Sequence, residues 1–187
     1  MKKVISIGEA LIDFIPHEKG RALNDVENFL RVPGGAPLNV AAAVAKLGGK
    51  SQMLTKLGQD GFGDAILNEV KPLGVDVSRI SRTNDVLRTD KANTGLAFVS
   101  LKEDGNRDFS FYRNPSADML LSAEEICVED FNEKDILHFC SVSLIDAPIK
   151  KKYSKIQCAK IFAICILNFF NINSKSYINN DLIIHYI

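Results

Sequence analysis

Apolar residues come in short bursts divided by glycine-rich or polar punctuation, and the period of the bursts changes along the chain. Lys3–Ile7 is a brief apolar run ending at Gly8, the pattern of a buried strand in a parallel sheet. From Glu9 to Arg31 apolar and polar positions alternate around His17-Glu18-Lys19-Gly20, which predicts a hairpin. Helical periodicity follows over Leu38–Leu47 and stops at Gly48-Gly49. Ser51–Leu57 predicts a second strand, and Asp64–Leu73 a second helix ending at Gly74. Asp76–Asp90 is polar, weakly periodic and left without an assignment. Thr94–Leu101 and Arg107–Arg113 flank Lys102-Glu103-Asp104-Gly105-Asn106 and predict another hairpin. Asp135–Phe139 predicts a third buried strand, with Ser141–Ser143 at its carboxyl end, where open parallel sheets bind ligands. This order favours a wound α/β sheet with hairpins forming a flap outside it.

One stretch organises the rest, Pro33-Gly34-Gly35-Ala36-Pro37-Leu38-Asn39 running into Val40–Ala45. Two adjacent glycines permit positive φ and close backbone approach. A proline at the first helical turn is pre-set for helix entry, and free N–H groups face outward there. A plain Gly-Pro turn into a core helix has the same appearance.

Composition changes this picture in one place. The 187 residues are 46% hydrophobic and 25% charged, with zero formal net charge. That balance gives no reason to expect nucleic acid or an anionic membrane as partner. Cys127, Cys140, Cys158 and Cys165 lack metal-ligand or disulfide-framework spacing, so reduced thiols and a cytoplasmic location are expected. The N-terminus reads as a strand rather than a signal peptide, and no apolar run is long enough to span a bilayer. From Lys151 to Ile187, however, there is no Gly, Pro, Val, Glu, Thr or Arg, and five lysines stand against Asp181 alone. The dominant residues there, Ile, Asn, Lys, Phe and Tyr, share AT-rich codons. Residues 151–187 are therefore read as an atypical tail, arising by out-of-frame translation near Lys150-Lys151-Lys152. The alternative is a genuine extension with a helix over Ser154–Phe170.

Five blocks in order resemble the carbohydrate kinase family that includes ribokinase and bacterial fructokinase. They are Ile7-Gly8-Glu9-Ala10-Leu11-Ile12-Asp13, Gly34-Gly35-Ala36-Pro37-Leu38-Asn39-Val40-Ala41, Gly58-Gln59-Asp60-Gly61-Phe62-Gly63, Thr94–Val99 and Phe109–Met119. GGAPLNVA with FYRNPSADM most resembles the fructokinase branch, and the likeness spans residues 1–150. The resemblance implies a ribokinase-like three-layer α/β/α sheet with a small β-sheet lid, truncated after about residue 150. The lid strands would come from about 10–33 and 94–114. It further implies transfer of the ATP γ-phosphoryl, with Mg²⁺, to a primary hydroxyl of a sugar such as fructose. Asp13, Gly34, Gly35 and Asn39 would then contact the sugar, and Tyr112 and Arg113 would close over it.

The family's base and anion hole come from a late Gly-x-Gly-Asp segment, and the match here, Gly61-Phe62-Gly63-Asp64, stands too early. It reads as a helix start. No catalytic, ATP-binding or metal-binding residue is therefore assigned, and ATP and Mg²⁺ belong to the longer family members. The expectation is a sugar-binding half without turnover of its own. Alternatives are a non-catalytic sugar-binding module, a homodimer through the lid strands, and a kinase for a keto-deoxy sugar acid held by Arg113. The nucleotide sequence across Lys150–Lys152 tests the reading of the tail: a second frame continuing the α/β pattern supports a shift, and its absence removes the idea.

Overall fold

The computed structural model describes residues 2–79, 92–104, 106–122, 125–126, 131–132 and 134–140, and the backbone of strands at 80–82, 162–166 and 182–185. In chain order the elements are β1 (Val4–Ile7), β2 (Leu11–Pro16), β3 (Phe29–Gly34), α1 (Ala36–Lys46), β4 (Ser51–Leu57), α2 (Gly61–Val70), β5 (Ile80–Arg82), β6 (Gly95–Leu101), β7 (Arg107–Tyr112), β8 (Ile136–Cys140), β9 (Phe162–Ile166) and β10 (Leu182–His185).

β1 and β4 are apolar or buried along nearly their whole length because both of their faces are covered. They form the middle of a parallel sheet ordered β10-β9-β8-β1-β4-β5. Leu38 and Ala41 of α1 pack with Met53 and Leu57 of β4 and Ile66 and Val70 of α2, all 0–3% exposed. The alanines bring α1 close enough for Ser51 Oγ to donate to the Ala41 carbonyl at 2.7 Å. Four further strands, ordered β3-β2-β6-β7, make the lid sheet. β2 and β3 are antiparallel, as are β6 and β7, and β2 joins the two hairpins by parallel pairing to β6. Pro33 is tolerated in β3 because that strand is an edge.

The second predicted hairpin and the three predicted strands of the main sheet form as read; the first hairpin forms with a longer connection, which passes the expected turn at His17–Gly20, makes a 3-10 turn at Leu23–Asp25 and returns as Phe29–Gly34. The second helix begins three residues earlier than its periodicity suggested, because Asp60 caps it and draws Gly61-Phe62-Gly63 into the first turn. Ser141–Ser143 and Lys150–Lys152 lie outside the described residues. The helix considered for Ser154–Phe170 does not form at its centre. Phe162–Ile166 is a strand in register with β8, Phe162 beside Ile136 and Ile166 beside Cys140. The physical reason is the open edge of β8: backbone pairing with that edge outweighs the weak local periodicity of an Ile/Phe-rich segment.

His138, in the middle of β8, is 3% exposed, and among the described residues neither ring nitrogen has a hydrogen-bond partner. It stands beside Ser6 of β1, whose hydroxyl is likewise unpartnered. Burial depresses the imidazole pKa from 6.5 to about 4. Between those values the unfolded chain binds a proton that the folded chain refuses. This contribution to stability is thus present above pH 6.5 and lost as pH falls toward 4, by about 3 kcal/mol in all. Urea unfolding from pH 7.5 to 4.5 should show this fall, and His138→Leu should flatten it by about one proton's worth of slope. An unchanged slope in the variant would contradict the assignment.

Candidate functional site

The candidate site lies where β1 hands the chain to the lid and the lid returns it to α1. Asp13, in the middle of β2, is paired with Val32 on one side and Ala97 on the other, and Ala97 is paired with Phe111. Neighbours in register share a face, so Asp13, Ala97 and Phe111 line one side of the lid. Leu96, Phe98 and Tyr112 line the other. There Phe98 stacks on Phe14 at 4.8 Å, and Phe14 meets Phe62 of α2 edge-on at 5.8 Å. One lid face is thereby fastened to the body, and the face bearing Asp13 points away from α2.

The Asp13 carboxylate lies directly over Gly34. A Cβ at Gly34 would stand 2.0 Å from Asp13 Oδ2. Gly35 has φ +103°, and a Cβ there would stand 2.6 Å from the Glu9 carbonyl oxygen. Gly35 is therefore required by both space and conformation, whereas at Gly34 the only obstacle is the Asp13 side chain. Gly35 is also the N-cap of α1, with a proline in the first turn. Asn39 follows in that turn, exposed, its backbone N–H donating to the Gly35 carbonyl at 2.9 Å. Asp13, Gly34, Gly35 and the first turn of α1 thus form one continuous surface.

Asp13 is half-buried. Burial pushes its carboxyl pKa above the ordinary value, against a smaller opposing pull from Arg107. Such a carboxylate has shed part of its hydration, and paired hydroxyl donors would replace what it lost.

The two predicted lid contacts behave differently. Tyr112 is not brought to Asp13: it sits on the opposite lid face, 64% exposed, edge-on to Phe98 at 5.2 Å. Arg113 lies on the lid with its stem passing over Gly95, where a Cβ would stand 3.2 Å from Arg113 Cγ. Its guanidinium turns inward, however, donating to Ser116 Oγ at 3.3 Å and pairing with Asp118, whose side chain is 1% exposed. Removing either member of such a buried pair typically costs about 3–5 kcal/mol. Reading along the chain missed Phe111 and Arg107 on the Asp13 face. Strand alternation could have found them once the pairing of β2 with β6 was known.

The residues described do not fit a triphosphate or its metal. Gly61-Phe62-Gly63-Asp64 lies inside α2, and the Gly63 N–H is already given to Asp60 Oδ1 at 2.8 Å. Among the described residues no three His, Cys, Asp or Glu side chains cluster as metal ligands. No transfer step is derived through either group. Nor is any helix among the described residues long and apolar enough to cross a membrane.

Comparison with known proteins gives a consistent likeness. The pfkB family carbohydrate kinase profile matches residues 1–176. A probable fructokinase of Arabidopsis thaliana is 46% identical over 147 residues, covering 79% of this chain and 44% of that protein. A fructokinase from Xylella fastidiosa, solved with bound ATP, superposes with a TM-score of 0.73 at 39% identity, over 90% of this chain and 52% of its own. A sugar kinase from Pyrococcus horikoshii in complex with ATP gives a TM-score of 0.78 at 33% identity, over 89% and 53%. The chain spans about half the length of these proteins, and the ribokinase-like α/β fold expected from the sequence is what they share with it.

The two glycines should respond differently to alanine. Gly35→Ala meets backbone at Glu9 and is strained at positive φ, so it should cost about 2–4 kcal/mol in urea unfolding. Gly34→Ala meets a side chain that can rotate away, and should cost about 1 kcal/mol while displacing Asp13. The reverse order would contradict this account of the turn.

Proposed function

This chain belongs to the pfkB family of carbohydrate kinases, and from that premise we propose that it carries the sugar-binding side of a fructokinase-like kinase. The observation that carries the reading is the contact of the Asp13 carboxylate with the backbone of Gly34, beside the first turn of α1. Asp13 accepts hydrogen bonds from two neighbouring sugar hydroxyls. Backbone N–H groups at Gly34 and Gly35 and the Asn39 amide serve the same sugar, and Phe111 offers an apolar edge to its ring. Arg113 shapes the rim through its pair with Asp118 rather than as a free cation. A keto-deoxy sugar acid therefore gains no support from Arg113, and a neutral ketose such as fructose suits the site better.

Phosphoryl transfer requires a base at the attacking hydroxyl and donors around the phosphate. No second Gly-x-Gly-Asp segment follows Gly61–Asp64 in this sequence. Binding of sugar without turnover is the behaviour we assign to this chain by itself, with ATP and Mg²⁺ engaged by residues it does not contain.

A second reading, a module that pairs with a second copy of itself through the lid, draws on β7. Phe109 and Phe111 stack there at 5.7 Å and are 43% and 54% exposed on an edge strand.

Calorimetric titration with fructose, paired with a coupled ATP-consumption assay, tests the proposal. Fructose should bind in the absence of ATP, and Asp13→Ala should weaken binding at least about tenfold, the loss of charge-assisted hydrogen bonds. ATP consumption should stay below about 1 s⁻¹, the low end for kinases. Undiminished binding in the variant would overturn the site, and faster turnover would overturn the division of labour. Light scattering on the same sample reads the lid-paired dimer.

A further inference from the structure

The Gly58–Gly63 turn takes no part in the sugar contacts above, yet it is bonded more heavily than a helix start requires. Asp60 Oδ1 accepts from the Gly63 N–H at 2.8 Å, which is ordinary N-capping. The other oxygen, Oδ2, reaches a different sheet and accepts from the Thr94 N–H at 2.8 Å. Thr94 Oγ1 in turn accepts from the Gly58 N–H at 3.1 Å. The space is closed around this arrangement: a Cβ on Gly58 would stand 2.3 Å from Asp60 Oδ2 and 2.6 Å from Thr94 N. Thr94 is 3% exposed. One carboxylate therefore joins the start of α2 to the root of β6, and the Thr94 hydroxyl ties that root to the end of β4.

The consequence runs to Asp13 through register. Thr94 immediately precedes β6, whose Gly95 lies beside Leu11 and whose Ala97 lies beside Asp13. β2 and β6 are far apart in sequence and meet by parallel pairing, so no short turn sets their alignment. The Asp60–Thr94 bond fixes where β6 begins relative to α2. α2 also touches β2 from the other side, through Phe62 against Phe14. We propose that Asp60 is a positioning residue for the sugar site: it tethers the root of β6 to the N-terminus of α2, holds Ala97 beside Asp13, and makes lid and α2 one rigid piece. The importance of Asp13 rests on the function proposed above. The tether itself does not.

Asp60→Ser separates capping from tethering. Serine caps Gly63 well, but its single oxygen, one bond nearer the backbone, cannot serve both amides. Hydrogen exchange without sugar reads the two roles independently. In Asp60→Ser, exchange at Thr94 and along Gly95–Leu101 should quicken about tenfold, the loss of one charge-assisted bond, while amides of α2, β1 and β4 keep their protection. Asp60→Ala should lose protection in both α2 and β6. Restoration of β6 protection by serine would reduce Asp60 to a cap and overturn the proposal. So would uniform loss across β1 and β4, which would make the residue a general stability element. Fructose titration of Asp60→Ser should show at least about tenfold weaker binding. If the unaltered chain binds no fructose, the exchange result still decides the tether and only the sugar-site reading fails.

Discussion

The structure depends on one tight passage of backbone. After β1 the chain leaves the main sheet, builds β2 and β3 of the lid, and returns to start α1 beside the point it left. Outgoing and returning segments meet at Glu9–Ala10 and Gly34–Gly35, so closely that a single methyl group at Gly35 would press on the Glu9 carbonyl. Because that passage is narrow, α1 lies close on β1 and β4 and buries Pro37, Leu38 and Ala41. The same passage lets Asp13 rest on the backbone at Gly34 rather than on another side chain. Packing of the core and exposure of the site have the same cause.

The lid has two chemically distinct faces, and the division follows from strand alternation. One face carries Phe14 and Phe98, locked against α2 by ring contacts. The other carries Asp13, Ala97 and Phe111, leaving a partly desolvated carboxylate among small and apolar neighbours. Neither hairpin could do this alone. An isolated pair of strands is marginal in water, and four strands fastened on one face are needed to hold a carboxylate steady on the other. The buried Arg113–Asp118 pair closes the far end of β7 in the same way, spending its charge on rigidity.

Much of this was legible along the chain, and the gaps have a common cause. Local periodicity gave the strands at Lys3–Ile7 and Ser51–Leu57 and the second hairpin to within a residue or two, since those signals reside in neighbouring positions, whereas the first hairpin returns only at Phe29, well past its turn signal at His17–Gly20. The glycines of Pro33–Ala45 were legible because their demand is conformational. The face of Tyr112 was not legible, because it depends on the parallel pairing of β2 with β6, which joins segments some eighty residues apart. The same holds for Asp60, where a helix cap could be foreseen and its second bond to Thr94 could not. The strand at Phe162–Ile166 was missed because its conformation is supplied by the open edge of β8. Short-range chemistry was readable, and long-range pairing had to be seen.

Family membership, a carboxylate seated on glycine backbone and a helix start beside it are the grounds on which we propose sugar recognition for this chain. Backbone amide NMR during titration with fructose tests that most directly. The account predicts shifts concentrated at Asp13, Gly34, Gly35 and Asn39, reaching Ala97 and Phe111 across the lid face and sparing Gly61–Asp64. Shifts centred on Gly61–Asp64, with Asp13 and Gly34 unmoved, would contradict it.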